Sequence, residues 1–483
     1  MAQTRTRFAP SLTGYMHVGN LRTALYAYLT ARHDGGSFVL RIEDTDRERY
    51  VEGAVDVIYN TLKENGMTWD EGPDVGGEFG PYVQSERMGM FKGYAEQLIE
   101  KDMAYRCFCT EERLAELHEQ QKAAGEAVGH YDRHCRCLSC EEIKAHLDAG
   151  DPYVIRQKMP TEGVTAFDDI IYGHIEVQNS ELEDQILIKT DGMPTYNFAN
   201  VVDDHLMQIS HVIRGSEYLS STPKYQLLYQ AFGWDVPVYI HCPPVMKDEH
   251  NKLSKRNGDA SYQDLVAQGY LSEAVLNYLL LLGWSPKGEE EIFSLPQMIE
   301  IWDPSRINKS PAIFDIVKLR AINAAHISAL SDEDFVKAAE PWIRKVVQSE
   351  IDLELLCRNL KPRCEILSDI PDRVAFIDNM PETIDPELYK NKKFKTDSET
   401  SLTALKALEP ELEAVTDWNK DSIYEACLAA AQKLEVKNGW LLYPLGIALS
   451  GQRATPGGGT DIAAIVGKEK TMTRLREAIE KLS

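Results

Sequence analysis

Residues 5–44 constrain the fold more than any other stretch. "RTRFAP" at 5–10 reads as a short strand running into a turn. From Gly19 to about His33, the apolar residues Leu21, Ala24, Leu25, Tyr28 and Leu29 recur at the spacing of one helix face. "DGG" at 34–36 stops that helix. "SFVLRIED" at 37–44 is an apolar run ending in charge, the pattern of a strand buried on both faces. Strand, helix and strand in so short a span make a βαβ unit, and its crossover requires parallel strands.

A second helix-rich segment, 51–104, leads to a stretch that breaks the pattern. Residues 107–190 carry a charged helix, a Cys-rich turn and short strands such as "YVIRQKM". Buried-strand patterning returns at "QILIKT" and "ISHVIRG", and "VPVYIHCPPVM" supplies another strand. The expectation is a parallel sheet split by an insertion. From about 262 the pattern turns helical. "SEAVLNYLLLLGW" has Ser272 as its expected N-cap and Gly283 as its stop. Helical periodicity continues to the end of the chain, broken by "KPRC" and "DIPDR", with no repeat of fixed period.

The 483 residues accommodate about three domains. No apolar run reaches the roughly 18 residues of a membrane span, and "MAQTRTRFAPS" has no apolar signal region. A cytoplasmic protein with no membrane partner is expected. The net charge of −24 argues against non-specific coating of nucleic acid. It leaves room for nucleic acid held by local basic patches on an acidic body.

Four stretches carry chemistry. In "RFAPSLTGYMHVGN", 7–20, turn residues leave a strand, and His17 and Gly19 stand where the helix begins. Helix N-termini expose unpaired N–H groups and favour phosphate. Gly19 allows close approach of a nucleotide, and His17 can donate to phosphate oxygens; a capped turn with an incidental histidine is the plain alternative. In "RIEDTDRERY", Glu43, Asp44 and Asp46 end a buried strand, where α/β sheets place ligands and where a carboxylate can pair with an ammonium; a charged loop is the alternative. In "DGMPTYNFANVVDDHLMQISHVIRGSEYL", Tyr196, Asn200 and Arg214 are polar residues beside apolar segments, and an Arg at a strand end can clamp a carboxylate. In "EHNKLSKRNGD", 249–259, Lys252, Lys255 and Arg256 surround Ser254, which suits either a solvated turn or a grip on an anion.

Taken together, these motifs resemble the class I aminoacyl-tRNA synthetases, specifically the bacterial glutamyl-tRNA synthetase family. "HVGN" and "KLSKR" match its two signature motifs. "RIEDTD", "GPYVQSER", "DGMPTYNFANVVDDHLM" and "VIRGSE" lie in order around them. The resemblance runs from about residue 5 to the C-terminus and is dense to about 315. Leu12 stands where the family usually has Pro, which removes one φ restraint from the loop. Asn20 replaces the last His of the first signature, as in the glutamyl branch.

The resemblance implies an α/β fold: a Rossmann-type parallel-sheet catalytic domain with an inserted α/β acceptor-binding domain, then all-α anticodon-binding domains. The implied boundaries are 1–106 and 191–261 for the two catalytic halves and 107–190 for the insertion. Residues 262–320 would form a helical stem-contact domain and 321–483 the anticodon-binding domains. The implied reaction activates L-glutamate with ATP and Mg²⁺, then transfers it to tRNA-Glu, with tRNA-Gln as a further acceptor if the enzyme is non-discriminating. A monomer is expected. By motif position, Arg7 and Arg214 clamp the carboxylates of glutamate, with Arg7 preferred for the γ-carboxylate. Ala9, Ser11, Tyr196 and Asn200 complete the amino-acid pocket, and Glu43 holds the ammonium. His17, Gly19, Asn20 and Lys255 bind ATP, with Lys252 in support. Arg358 and Arg363 are candidate anticodon readers by location.

Five of the nine cysteines lie between 107 and 140. "CFC" and "CRC" place Cys107, Cys109, Cys135 and Cys137 as two soft-ligand pairs suited to a tetrahedral structural Zn²⁺, and some family members carry zinc there. Tyr131, His134 and Cys140 are alternatives for one ligand. "TPGGGT", 455–460, lacks the register of a phosphate-binding loop and reads as a flexible loop. "YKNKKFK", 389–395, is a basic run that suits either tRNA phosphates or solvent.

Overall fold

The computed structural model describes residues 3–12, 15–45, 51–125, 131–253 and 261–483. The expected Lys255, Ser254, Arg256 and Asp46 lie outside the described residues. The chain divides into two compact units. One comprises Met1–Asp264 with Leu276–Asp315, and the other Leu265–Val275 with Ile316–Ser483.

The first unit opens with the expected βαβ. Strand β1 (Arg5–Phe8), helix α1 (Val18–His33) and strand β2 (Ser37–Leu40) follow in order, and β1 pairs β2 in parallel from Arg5–Ser37 to Phe8–Leu40. His17 caps α1, accepting from the Gly19 amide at 3.1 Å. The return to β2 passes so close to the start of β1 that a Cβ on Gly36 would lie 1.9 Å from the Thr4 carbonyl oxygen, so glycine is needed there. The extended run continues past β2, but its partners change. Arg41 donates to the Phe8 carbonyl (3.0 Å) and Glu43 to that of Pro10 (3.1 Å), while Ile42 bridges Val83.

Helices α2 (Ala54–Glu64) and α3 (Met88–Glu100) precede the interrupting segment. That segment holds β3 (Ala104–Cys107), α4 (Glu111–Ala124), α5 (Cys140–Ala149), β4 (Val154–Gln157), β5 (Val164–Asp169), β6 (Gly173–Gln178) and β7 (Ile186–Ile188). Then come α6 (Tyr196–Leu206), β8 (His211–Gly215), α7 (Thr222–Phe232), β9 (Val238–Cys242) and β10 (Val245–Met246). Beyond them are α8 (Tyr262–Ala267), α9 (Ser272–Leu281), α10 (Leu295–Ile301) and β11 (Ala312–Ile313), which pairs β10 in parallel.

Strand partnership differs from expectation at the insertion. "QILIKT" becomes β7, which pairs antiparallel with β4 in a β3–β4–β7 sheet instead of resuming the parallel one. Strands β5 and β6 instead join the parallel pair β8–β9, giving the order β6-β5-β9-β8. An apolar run reports burial on two faces but not which neighbour supplies the hydrogen bonds. Ser272 is the first helical residue of α9, not its cap, a one-residue difference at the boundary. No described helix is long and apolar enough to cross a membrane.

The second unit is helical, as its periodicity predicts. It carries α11 (Ile316–Ala329), α12 (Asp332–Ile343), α13 (Leu353–Leu360), α14 (Ile370–Val374), α15 (Ser398–Glu413), α16 (Lys420–Lys433), α17 (Asn438–Ser450), α18 (Gly459–Val466) and α19 (Lys468–Leu482). One apolar core, including Phe335, Leu405, Leu445 and Leu475, runs through it. The glycine run read as a flexible loop is instead partly structural. Gly459 begins α18, and a Cβ there would lie 2.8 Å from the Leu442 carbonyl oxygen and 2.9 Å from the Gly446 nitrogen on α17. Gly459→Ala is therefore expected to destabilise this unit by about 1–3 kcal/mol through overpacking. An unchanged denaturation midpoint would show that α17 and α18 separate freely.

Candidate active site

A cleft of about 790 Å³ opens at the carboxyl ends of β1, β8 and β9, where parallel sheets place ligands. Arg7, Glu43 and Arg214 line its inner end, and His17, Gly19 and Lys252 line the outer. Ala9, Ser11, Asn20 and Tyr196 also face it. Asn200 is the exception: it is buried on α6, its amide donates to the Tyr196 carbonyl (2.7 Å), and it does not line the cleft.

The inner end is built from buried charge. Arg7 donates through Nε to both oxygens of Asp204 (3.1 and 3.3 Å) and through Nη1 to the Ile213 carbonyl (3.1 Å). Arg41, wholly buried, donates to Asp204 (2.7 Å) and to Glu43 (3.2 Å). Arg7 and Arg41 hold the Asp204 carboxyl below its ordinary range against the cost of burial. Burial moves Glu43 the other way, only partly opposed by Arg41 and Arg7. An ammonium arriving beside Glu43 favours its charged form again.

Arg214 is held differently. Its Nε donates to His241 Nε2 and its Nη2 to Thr222 Oγ1, each at 3.0 Å. The rings of Tyr218, Tyr225 and Tyr239 surround it, with centroids 5.3, 4.6 and 5.4 Å away. Among the described residues no carboxylate pairs with it and its buried Nη1 has no hydrogen-bond partner. An orphaned buried donor on a charged group is costly, and a ligand oxygen removes the cost. Arg7, Arg41 and Arg214 against Asp204 and Glu43 sum to one net positive charge, with the Glu217 carboxylate also lining the cleft. Bound glutamate carries one net negative charge.

The motifs did not reveal Arg41, Asp204, His241 or Thr222. Two signals were available: a cation inside a strand otherwise patterned for burial, and an acidic pair following "FANVV" on an apolar helix face.

The outer end is the N-terminus of α1, where the His17 ring caps the Gly19 amide and the His17 carbonyl accepts from Asn20 (2.9 Å). Lys252 is exposed across the cleft, beside the bridge it makes with Met246.

The cysteines gather apart from the cleft. The sulfurs of Cys107, Cys109 and Cys135 lie within 4.8 Å of one another. Cys137 is not among them and is exposed, contrary to its expected role. The reason is local geometry. Residues His134–Cys137 form a 3₁₀ turn, which splays i and i+2, whereas extended chain carries i and i+2 on one side. Tyr131 stands beside the three sulfurs, its Oη 3.2 Å from Cys107 Sγ and 3.4 Å from Cys109 Sγ. Three sulfurs and a phenol oxygen around one point fit a tetrahedral Zn²⁺. In the helical unit Arg358 and Arg363 are exposed, as are Lys390, Lys392, Lys393 and Lys395.

Residues 3–321 match the family model for class I tRNA synthetase (E and Q) catalytic domains, and residues 334–479 match that for an anticodon binding domain. A glutamate–tRNA ligase of Clostridium botulinum is 57% identical over 480 residues, covering 99% of both chains. That of Clostridium tetani is 57% identical over 478 residues, covering 99% of this chain and 98% of the relative. The crystal structure of a glutamate tRNA ligase from Elizabethkingia meningosepticum in complex with its amino acid superposes with a TM-score of 0.91 at 35% identity, covering all of both chains.

Proposed function

The chain belongs to the class I tRNA synthetases of the E and Q group, and on that premise we propose that it is a glutamate–tRNA ligase. It activates L-glutamate with ATP and transfers it to the 3′-terminal adenosine of tRNA-Glu. The observation that carries this reading is the two-ended cleft. One end is a buried cluster of arginines and carboxylates, and the other is the positive end of the α1 dipole, capped by His17.

Glutamate's γ-carboxylate binds between Arg7 and Arg214, each with one terminal nitrogen free of hydrogen bonds among the described residues. Its ammonium meets Glu43, and Tyr196 borders the pocket. Glutamine carries no net charge and leaves the cluster unbalanced, so the pocket rejects it. The α-carboxylate attacks the α-phosphorus of ATP, and pyrophosphate leaves. His17 and the amides of α1 support the phosphates, Gly19 and Asn20 border the nucleotide, and Lys252 with Lys255 neutralises pyrophosphate. A ribose hydroxyl of tRNA then attacks the adenylate carbonyl, and AMP leaves. No covalent enzyme nucleophile is required; positioning and charge stabilisation carry the chemistry. Mg²⁺ accompanies ATP.

Residues 107–190 are the acceptor-end domain in this reading, and the second unit reads the anticodon, with Arg358 and Arg363 as candidates. Match of residues 334–479 to an anticodon binding domain supports this over the relatives that glutamylate a modified tRNA base without such a region. The protein acts in the cytoplasm as a monomer. Aminoacylation of purified tRNA-Glu and tRNA-Gln side by side tests the reading: charging of tRNA-Glu is expected, and charging of neither overturns it. Charging of both identifies a non-discriminating enzyme.

Zinc held by Cys107, Cys109, Cys135 and Tyr131 ties the start of the insertion to its Cys-rich turn and supplies structure only. Elemental analysis is expected to find about one zinc per chain. Cys137→Ser should retain it, whereas Cys135→Ser should lose it. Equal retention by both variants would refute the site.

A further inference from the structure

We propose that His241, anchored by Asp169, is a positioning residue for Arg214, fixing the guanidinium so that its free Nη1 serves the amino-acid end of the cleft. The inference rests on the glutamate reading above.

An arginine Nε always donates, so its 3.0 Å bond to His241 Nε2 makes that nitrogen an acceptor. The imidazole is therefore neutral, with its proton on Nδ1, which donates to Asp169 Oδ2 at 2.7 Å. Both side chains are wholly buried. Burial also pushes the imidazole pKa down, consistent with the neutral ring.

Asp169 is itself fixed. Its Oδ1 accepts the amides of Ile171 (2.8 Å) and Tyr172 (2.9 Å), and its Oδ2 accepts the His241 amide at 3.0 Å. Strand pairing supports the same contact, since β5 meets β9 at Asp169 and Tyr239. Neither His241 nor Asp169 lines the cleft, so any effect on ligand passes through Arg214.

The choice of acceptor has a chemical consequence. Arg7 and Arg41 are oriented by carboxylates, which also neutralise them. Arg214 is oriented by an imidazole and a hydroxyl, which fix the planar fork and leave its charge for the ligand. A carboxylate in the place of His241 would orient the arginine equally well and would cancel the attraction. Arg214 is thus aimed without being neutralised.

Two conservative variants separate this role from simple packing. In His241→Asn the shorter amide reaches the Nδ1 position, satisfying Asp169 but leaving Arg214 Nε without an acceptor. In His241→Gln the longer side chain brings its oxygen to the Nε2 position. Glutamate-dependent ATP–pyrophosphate exchange is the readout, with thermal melting as a check on folding. His241→Asn is expected to raise KM for glutamate about tenfold to a hundredfold, the loss of one hydrogen bond to a charged group. KM for ATP should stay within about twofold, and His241→Gln should recover most of the glutamate affinity. Equal glutamate KM in the two variants, or a parallel rise in both substrates' KM, overturns the positioning role. Wild-type protein that shows no glutamate-dependent exchange overturns the glutamate reading itself, and the inference with it.

Discussion

Arg214→Ala is expected to lower kcat/KM for glutamate by about three orders of magnitude, since losing one partner of a desolvated charge pair costs about 3–5 kcal/mol. The effect should fall on glutamate and leave KM for ATP nearly unchanged, because Arg214 sits at the inner end of the cleft. A second consequence separates charge from shape. Wild-type protein has one surplus positive charge in the cluster; the variant has none. Discrimination against glutamine should therefore collapse along with activity, because neutral glutamine now meets a neutral pocket. Arg214→Lys should recover little, as an ammonium cannot donate to His241 and Thr222 in the same fork geometry. Pyrophosphate exchange with both amino acids measures all three effects. An unchanged ratio between the two amino acids would remove Arg214 from specificity.

Asp204→Asn is expected to destabilise the first unit by about 3–5 kcal/mol, because Arg7 then loses its carboxylate partner and Arg41 keeps only Glu43. The side chain is 2% exposed and is the shared partner of Arg7 and Arg41, so no water can take its place without rearrangement. The pH dependence has a definite sign. The native carboxyl titrates below its unfolded value, so its stabilisation is fully present above about pH 4 and is lost as pH falls through the lower folded value. The stability difference between wild type and variant should thus narrow below about pH 4. Urea midpoints across pH 3–7 check this, and a difference that widens on acidification contradicts the assigned ion pairs.

Residues at the ends of strands were readable. Glu43 and Arg214 follow apolar runs, and the rule that parallel sheets present ligands at carboxyl ends directs attention to them, whereas Arg7 was reached only through the family resemblance. His17 was readable as the start of a periodic helix. What the sequence concealed was the support beneath these groups. Arg41 looks like the charged end of a strand, yet it is wholly buried. Asp169 and His241 lie 72 residues apart and meet only because β5 lies beside β9. Nothing local specifies that pairing, and the same limit misplaced β7. At the cysteines, residue spacing suggested two equivalent pairs. Backbone conformation makes them unequal: Cys135 joins Cys107 and Cys109, Cys137 is exposed, and Tyr131 Oη stands beside the sulfurs.

The position of β5 between β6 and β9 bears on protein engineering. A cassette bounded at 107 and 190 looks exchangeable by its chain positions, as an insertion between two halves of a sheet. Cutting it out would remove the strand that borders β9 and the carboxylate behind His241. The unpaired β9 edge would then be left open to association. A chimera that keeps amino-acid selectivity must therefore transplant β5 and β6 with the β8–β9 pair and draw its junctions elsewhere, so graft boundaries follow hydrogen bonding and not chain order.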